Sequence, residues 1–151
     1  MILIGFLCFT FFVAVILAFW EIQIEGKNGW ASNLPCWRIK KGLVVKLIGG
    51  RPLTGYHFFM VAFLITIVHF PFFFVAWSWR VECLVMGFLF AMLMAEDFFW
   101  FVLNPAYGIK SFRKGRIPWH KHWLGPVPDF FFYYGIAAGV LIWLGHSALA
   151  Q

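Results

Sequence analysis

The sequence predicts an all-α integral membrane protein, a four-span transmembrane helix bundle with two long cytoplasmic loops. Of its 151 residues, 63% are hydrophobic and only 12% are charged, about half the charged fraction of a typical soluble domain. Four apolar runs are long enough for the roughly 20 residues that cross a hydrocarbon core. Twenty-one Phe and nine Trp suit lipid-facing helices and the aromatic belts at both membrane interfaces.

The predicted spans belong to one membrane domain of residues 1–151, and they cover residues 2–20, 56–77, 83–103 and 130–148. The first run has the length of a signal peptide, but no basic segment precedes it and no small-residue cleavage site precedes Glu21. We therefore predict a retained helix. Small residues spaced four apart predict close helix packing in spans three and four; they are Gly87, Ala91 and Ala95, and Gly135 and Gly139.

Basic residues set the predicted orientation. Residues 21–55 carry six of the twelve Lys and Arg and residues 104–128 carry five, which leaves only Arg80 elsewhere. The positive-inside bias places both of these loops in the cytoplasm and both termini outside. The net charge of +6 then reflects loops that face anionic membrane lipid, and we expect no nucleic-acid partner.

Glu96 and Asp97 lie inside the third apolar run. A carboxylate at membrane depth costs several kcal/mol, so it usually has a partner and often a function. At about 1.5 Å per residue the pair lies roughly 10 Å inside the cytoplasmic end of the span. Helical phase places Asp97 and Asn104 on one face, and we expect both carboxylates to face the protein interior.

Other polar side chains are predicted at the same depth. Five of the six acidic residues and three of the five histidines fall near the cytoplasmic end of the bundle. Carboxylate and imidazole together are a common ligand set for zinc, iron or manganese, and helix bundles supply such ligands from facing helices. No HExxH or Glu-x-x-His motif is present. The predicted metal ligands are Glu21, Glu25, His57, Glu96, Asp97, His120 and His122.

These residues favour an enzyme embedded in the membrane that modifies a lipid-like amphipathic substrate. Asp97 and Glu96 would ligate the metal or act as a general base, and His57 and His120 are the next catalytic candidates. Basic side chains of the loops would hold a phosphate headgroup; they are Arg51, Arg113, Lys114, Arg116 and Lys121.

Structural explanations compete with these roles. Glu96 or Asp97 would equally pair with a loop Lys or Arg, and solvation at a helix end would account for Glu21 and Glu25. An N-cap of span four is the leading explanation for Asp129. His69 satisfies local backbone groups near Pro71, or it lines a polar path above the acidic pair.

Two other function classes stay open. The chain would serve as a non-catalytic subunit or lipid-binding scaffold of a larger membrane complex, with other membrane subunits as partners. It would alternatively form a small proton or ion pathway through Glu96, Asp97 and His69, assembled as a homo-oligomer. The three cysteines show no CxxC spacing, so they predict neither a disulfide framework nor a thiolate metal site.

Overall fold

The computed structural model describes residues 2–146, which are mostly helical. The α-helices are α1 (Ile2–Glu25), α2 (Leu43–Leu47), α3 (Gly55–Val68), α4 (Trp79–Leu103) and α5 (Asp129–Gly145). Two 3-10 turns cover Phe70–Phe73 and Ile109–Ser111. Two antiparallel strand pairs lie in the long loops, β1 (Arg38–Ile39) with β2 (Leu53–Thr54), and β3 (Trp123–Leu124) with β4 (Val127–Pro128).

Three helices are long and apolar enough to cross a membrane. They are α1, α3 with its 3-10 extension to Phe73, and α4, and they indicate a membrane protein, as predicted. The apolar helix α5 has 17 residues and is about 26 Å long at about 1.5 Å per residue. The fourth span therefore remains a prediction, and residues 147 and 148 of that span lie outside the described part of the chain.

Helix ends differ from the predicted ones for local reasons. Helix α1 continues five residues past Trp20, which carries Glu21 and Glu25 to the same face of a regular helix. Helix α3 ends at Val68 rather than Trp77, because Pro71 lacks the amide hydrogen that a further α-turn requires. Helix α4 starts at Trp79 because Ser78 caps it, accepting a hydrogen bond from the Val81 amide at 3.3 Å.

Helix α4 forms the centre of the bundle and packs along both α1 and α5. A core cluster joins Ala14 and Leu17 of α1 to Leu89, Met92 and Ala95 of α4. Small residues at this contact let the two helix backbones approach closely.

Glycines define the contact between α4 and α5. A Cβ atom at Gly87 would lie 2.8 Å from Ile142 Cγ1, and one at Gly145 would lie 2.7 Å from the Arg80 carbonyl oxygen. At Gly139 a Cβ atom would meet nothing within 4 Å among the described residues. Gly87 therefore packs closely against α5, as predicted for this residue, whereas Gly139 makes no close contact within residues 2–146.

Both long loops fold over the end of the bundle at which α1 and α4 finish. The Asn104 side-chain amide donates to the Gly26 carbonyl at 2.7 Å, and the Tyr107 hydroxyl donates to the Lys27 carbonyl at 3.0 Å. These bonds hold the two helix ends together. Asn104 therefore links the end of α4 to the end of α1, and it does not line the site beside Asp97.

The first loop has its own internal support. The Arg38 guanidinium donates to four carbonyls between Ala31 and Cys36. Strands β1 and β2 close the segment between them, which carries the short helix α2. In α2 the side chains of Leu43 and Leu47 are exposed while Val45 is buried, and this short helix lies over the cavity described below.

Helix α3 stands apart from the others. Of its fourteen residues only Gly55 and Met60 are buried. The loose packing of α3 leaves a space between this helix and the α4–α5 pair.

Candidate functional site

A cavity of about 670 Å³ lies at the loop end of the bundle, between α1, α3, α4 and α5. Its apolar wall includes Phe58, Val61 and Ile65 of α3. Its polar lining comes from all four helices and both loops: Glu21, Glu25, Lys46, Arg51, His57, Glu96, Asp97, His120, Lys121, His122 and Asp129. The cavity is therefore amphipathic, with carboxylates and imidazoles at one end and hydrocarbon along α3.

Glu25 and His57 form the first carboxylate–imidazole pair. His57 Nε2 lies 3.7 Å from Glu25 Oε1, and His57 Nδ1 lies 2.7 Å from Thr54 Oγ1. Thr54 also caps α3 by accepting a hydrogen bond from the His57 amide at 3.2 Å. The same threonine thus sets the start of the helix and the orientation of the ring.

A strained turn holds Glu25 from the other side. Trp30 and Ala31 adopt φ angles of 58° and 51°, in the left-handed region that side chains other than glycine seldom occupy. This turn aims the Ala31 amide at Glu25 Oε1, to which it donates a hydrogen bond. Strain of this kind persists only where the surroundings impose it, and it is concentrated at functional sites.

Asp97 and His120 form the second pair. Asp97 Oδ2 lies 3.1 Å from His120 Nε2, and the His120 side chain is only 2% exposed. Among residues 2–146, every ion pair within 4.0 Å has histidine as the basic partner. Asp97 and Glu96 therefore do not pair with a loop Lys or Arg in the described part of the chain.

Glu21 and Glu96 lie between the two pairs. The Tyr56 hydroxyl donates to Glu21 Oε1 at 3.3 Å. Glu96 is 6% exposed, and its Oε1 atom has no hydrogen-bond partner among the described residues. The Trp100 Nε1 donor, one helical turn further on, is also buried and unpaired there. Both residues line the cavity, and buried polar groups without a partner in the chain require one from water, an ion or a bound molecule.

An aromatic row connects the two pairs across the cavity; it consists of His57, Trp30, Arg51, Phe130 and His120. Trp30 stacks on His57 with ring centroids 4.3 Å apart, and Phe130 stacks on His120 at 5.2 Å. The Arg51 guanidinium lies over both intervening rings, 4.2 Å from Trp30 and 5.2 Å from Phe130. Such cation–π contacts fix the row, which joins both loops to α3 and α5.

Arg51 is the buried cation of the site. Its Nε donates to the Ile48 carbonyl at 3.0 Å. Burial lowers the pKa of the Arg51 guanidinium, and the negative charge of Asp97 acts in the opposite direction. An arginine side chain nevertheless remains charged at neutral pH.

The donor set fits a metal ion at one end of the cavity. Glu21, Glu25 and His57 each offer one ligand atom, and these three atoms lie within 4.8 Å of one another. Two ligands bound at about 2.1 Å to one metal lie at most about 4.2 Å apart, so a small inward movement would complete the site. The cavity is lined by five carboxylates and three Lys or Arg side chains, so its formal charge is negative and favours a cation.

All seven predicted metal ligands line the cavity. Among the predicted headgroup residues, Arg51 and Lys121 line it too, and Lys121 Nζ also donates to the Gly50 carbonyl at 2.7 Å. Arg113, Lys114 and Arg116 are exposed and lie outside its lining. The structure thus brings together the acids and histidines, and it separates one group of loop cations from them.

The structure contradicts the structural explanation of Asp129 and agrees with that of His69. Pro128 occupies the N-cap position of α5 and no side chain caps the helix, so the N-cap prediction for Asp129 is wrong; Asp129 lines the cavity instead. His69 hydrogen bonds the Ile65 carbonyl at 2.6 Å and Glu82 at 2.9 Å. It lies outside the cavity lining, so its position gives no support to a proton path.

Several residues of the site carried no sequence signal of their own. Thr54 and Tyr56 orient His57 and Glu21, and Trp30 and Phe130 hold Arg51. In a chain with nine Trp and twenty-one Phe, single aromatic residues do not stand out. Thr54 is the exception, because a threonine just before an apolar run is recognisable in sequence as a helix N-cap.

The chain matches no protein-family model, no curated protein and no solved structure.

Proposed function

We propose that the protein is a metal-dependent enzyme embedded in the membrane, which modifies an amphipathic lipid-like substrate in the cavity at the loop end of the bundle. One observation carries the proposal: a single cavity of about 670 Å³ joins five carboxylates and three imidazoles to an apolar wall. A polar reaction centre beside a hydrocarbon surface suits a substrate with a polar head and an apolar tail.

The weak packing of α3 supports entry from the bilayer. The cavity separates α3 from α5, since Val61 and Ile65 line one side while Tyr133 and Tyr134 line the other. Little of α3 is buried within the protein. A lipid tail between α3 and α5 would therefore supply apolar contacts that the two helices do not make with each other.

Glu21, Glu25 and His57 would hold the metal, which would polarise an oxygen of the substrate and activate a water molecule. Asp97 accepts the Nε2–H of His120, which leaves the His120 Nδ1 lone pair to take up a proton. The carboxylate then stabilises the imidazolium that forms, as in other aspartate–histidine pairs. Asp97 is thus a positioning residue, and His120 is the proposed general base.

The proposed topology has α5 as a fourth span, both loops in the cytoplasm and both termini outside. It is supported by the eleven of twelve basic residues in the two loops and by the loop contacts that gather at one end of α1 and α4. The substrate would then meet the site from the cytoplasmic leaflet.

Metal analysis of protein purified in neutral detergent without chelator tests the first half of the proposal. We expect bound zinc, iron or manganese in the wild type and its loss in Glu25→Gln and His57→Gln. Glu82→Gln is the matched control, because Glu82 also pairs with a histidine but at the other end of the bundle. No metal in the wild type, or equal metal in Glu25→Gln and the control, contradicts the proposal.

Turnover of lipid tests the second half. Wild-type protein is incubated with metal and a membrane lipid extract, and products are followed by mass spectrometry. His120→Gln should lower the rate by about a hundredfold or more, the usual contribution of a general base. A wild type that changes no lipid, or a rate unaffected in His120→Gln, would rule out the proposed reaction.

A further inference from the structure

Arg51 offers donors that the protein leaves unused. It is 9% exposed, and among the described residues it has no carboxylate within 4.0 Å and one side-chain hydrogen bond, from Nε to the Ile48 carbonyl. A guanidinium has five N–H donors. A buried cation that is neither paired nor fully hydrogen-bonded is costly, so the site is built for an anion that comes from outside the chain.

We propose that Arg51 binds a phosphate group, and that the substrate is therefore an amphipathic molecule with a phosphate in its headgroup. This inference rests on the proposed function, and it specifies the chemical class of the substrate at the same cavity. A planar guanidinium binds phosphate through two parallel N–H···O bonds, which a lysine ammonium does not reproduce.

The surroundings of Arg51 leave its outer edge for this purpose. Trp30 and Phe130 contact the face of the guanidinium, and Ile48 occupies its Nε donor. The two terminal nitrogens remain, and Arg51 lines the same cavity as the carboxylates and the apolar wall of α3. A phosphate on Arg51 would place its attached tail within reach of that wall.

Further positive charge surrounds the arginine. Lys46 and Lys121 line the main cavity. A second cavity of about 420 Å³ reaches Arg51 from the side of the loops and is lined by Lys27, Arg38 and Lys121. Cations on both sides of Arg51 favour an anionic group at this point, and the second cavity leaves room for a substituent on the phosphate.

Calorimetric titration of the full-length protein in neutral detergent tests the inference with three probes. Dihexanoyl phosphatidic acid and dihexanoylglycerol share their tails and differ by the phosphate, while inorganic phosphate lacks the tails. We expect phosphatidic acid to bind at least about tenfold more tightly than either other probe, since each hydrogen bond to a charged group contributes more than a neutral one.

Three substitutions locate the effect. Arg51→Gln should weaken phosphatidic acid binding by about tenfold or more, and Arg51→Lys should fall between, because it keeps the charge but loses the fork. Arg113→Gln is the matched control, an exposed loop arginine outside both cavities, and it should bind like the wild type. Equal binding by all three variants overturns the inference.

The comparison of the three probes uses the wild-type protein alone, so its result does not depend on whether any variant folds. Equal affinity for dihexanoylglycerol overturns recognition of phosphate, and equal affinity for inorganic phosphate overturns a lipid source. Repeating the titration in Glu25→Gln separates this inference from the proposed metal chemistry: binding that still depends on Arg51 in a metal-free variant supports the phosphate site even where the enzymatic proposal fails.

Discussion

Two of the acidic side chains at the loop end of the bundle have imidazole partners, and this changes what their removal should do. Asp97 contacts His120 and Glu25 lies near His57. Neither contacts Lys or Arg within 4.0 Å among the described residues. Neutralising one of them therefore leaves no strongly basic group without its counter-ion, which is the event that makes the loss of a buried ion pair so destabilising.

Asp97→Asn should keep the fold and lose the function. The amide oxygen of asparagine still accepts the His120 Nε2–H, so the melting temperature in detergent should change by only a few degrees, equivalent to about 1 kcal/mol or less. Lipid turnover should fall strongly, because a neutral amide does not stabilise an imidazolium.

Glu82→Gln serves as the control for Asp97→Asn, since it neutralises the other carboxylate of a histidine pair at the far end of the bundle. It should leave turnover unchanged. A loss of several kcal/mol of unfolding free energy in Asp97→Asn would instead identify a structural pair and would favour the scaffold hypothesis.

At the scale of the helices, the contact between α4 and α5 depends on glycine at particular positions. Gly87 and Gly145 each lie where a Cβ atom would approach a neighbouring helix within 3 Å, whereas at Gly139 it would meet no atom of residues 2–146 within 4 Å. Spacing alone predicted both the Gly87 stripe and the Gly135–Gly139 pair. Only the relative rotation of the helices decides which glycines meet a neighbour, and the sequence does not encode that rotation in its spacing.

Gly87→Ala should destabilise the bundle. The added methyl group would lie 2.8 Å from Ile142 Cγ1 and 3.1 Å from the Ile142 backbone nitrogen, and overpacking of this kind typically costs about 1–3 kcal/mol. In Gly139→Ala the added methyl group meets nothing within 4 Å in the described part of the chain, and this variant should be as stable as the wild type. Unfolding of both variants in detergent provides the measurement, and equal stability of the two would contradict the α4–α5 packing described above.

Helix ends illustrate what composition can and cannot predict. The apolar runs located α1, α3 and α4 because hydrocarbon surface is easily recognised in sequence. They missed the last five residues of α1, since Glu21 and Glu25 look like a helix end although both are buried. They also extended α3 past Pro71, where the chain leaves the α-helix. A pattern of apolar residues does not predict which polar residues are buried by the tertiary structure.

At the scale of the whole molecule, the depth of each residue along its predicted span was enough to predict that acids and histidines would lie together. All seven candidate metal ligands line the cavity. Depth did not predict the aromatic row or the separation of Arg113, Lys114 and Arg116 from Arg51. Those features depend on how two irregular loops fold over the bundle, and such paths follow from contacts distant in sequence.

Cysteine labelling in intact cells tests the proposed orientation of the whole chain. In a background without Cys8, Cys36 and Cys83, we expect Lys40→Cys and Lys114→Cys to react only after permeabilisation, since both long loops are proposed to be cytoplasmic. Ala76→Cys, in the short connection between α3 and α4, should react from outside. Reaction of position 40 or 114 from outside, or of the two from opposite sides, would overturn the topology.

The composition of the aromatic row has a consequence for biosynthesis. Its five members lie at positions 30, 51, 57, 120 and 130, while four of the five carboxylates that line the cavity precede residue 98. Synthesis proceeds from the N-terminus, so the ribosome delivers the acidic residues well before His120 and Phe130. The part of the cavity that carries these carboxylates is therefore synthesised before the residues of the second loop and of α5 that complete its lining. A nascent chain stopped before α5 would carry four of the five carboxylates and no completed cavity, so any function that depends on the cavity would arise only once α5 is added.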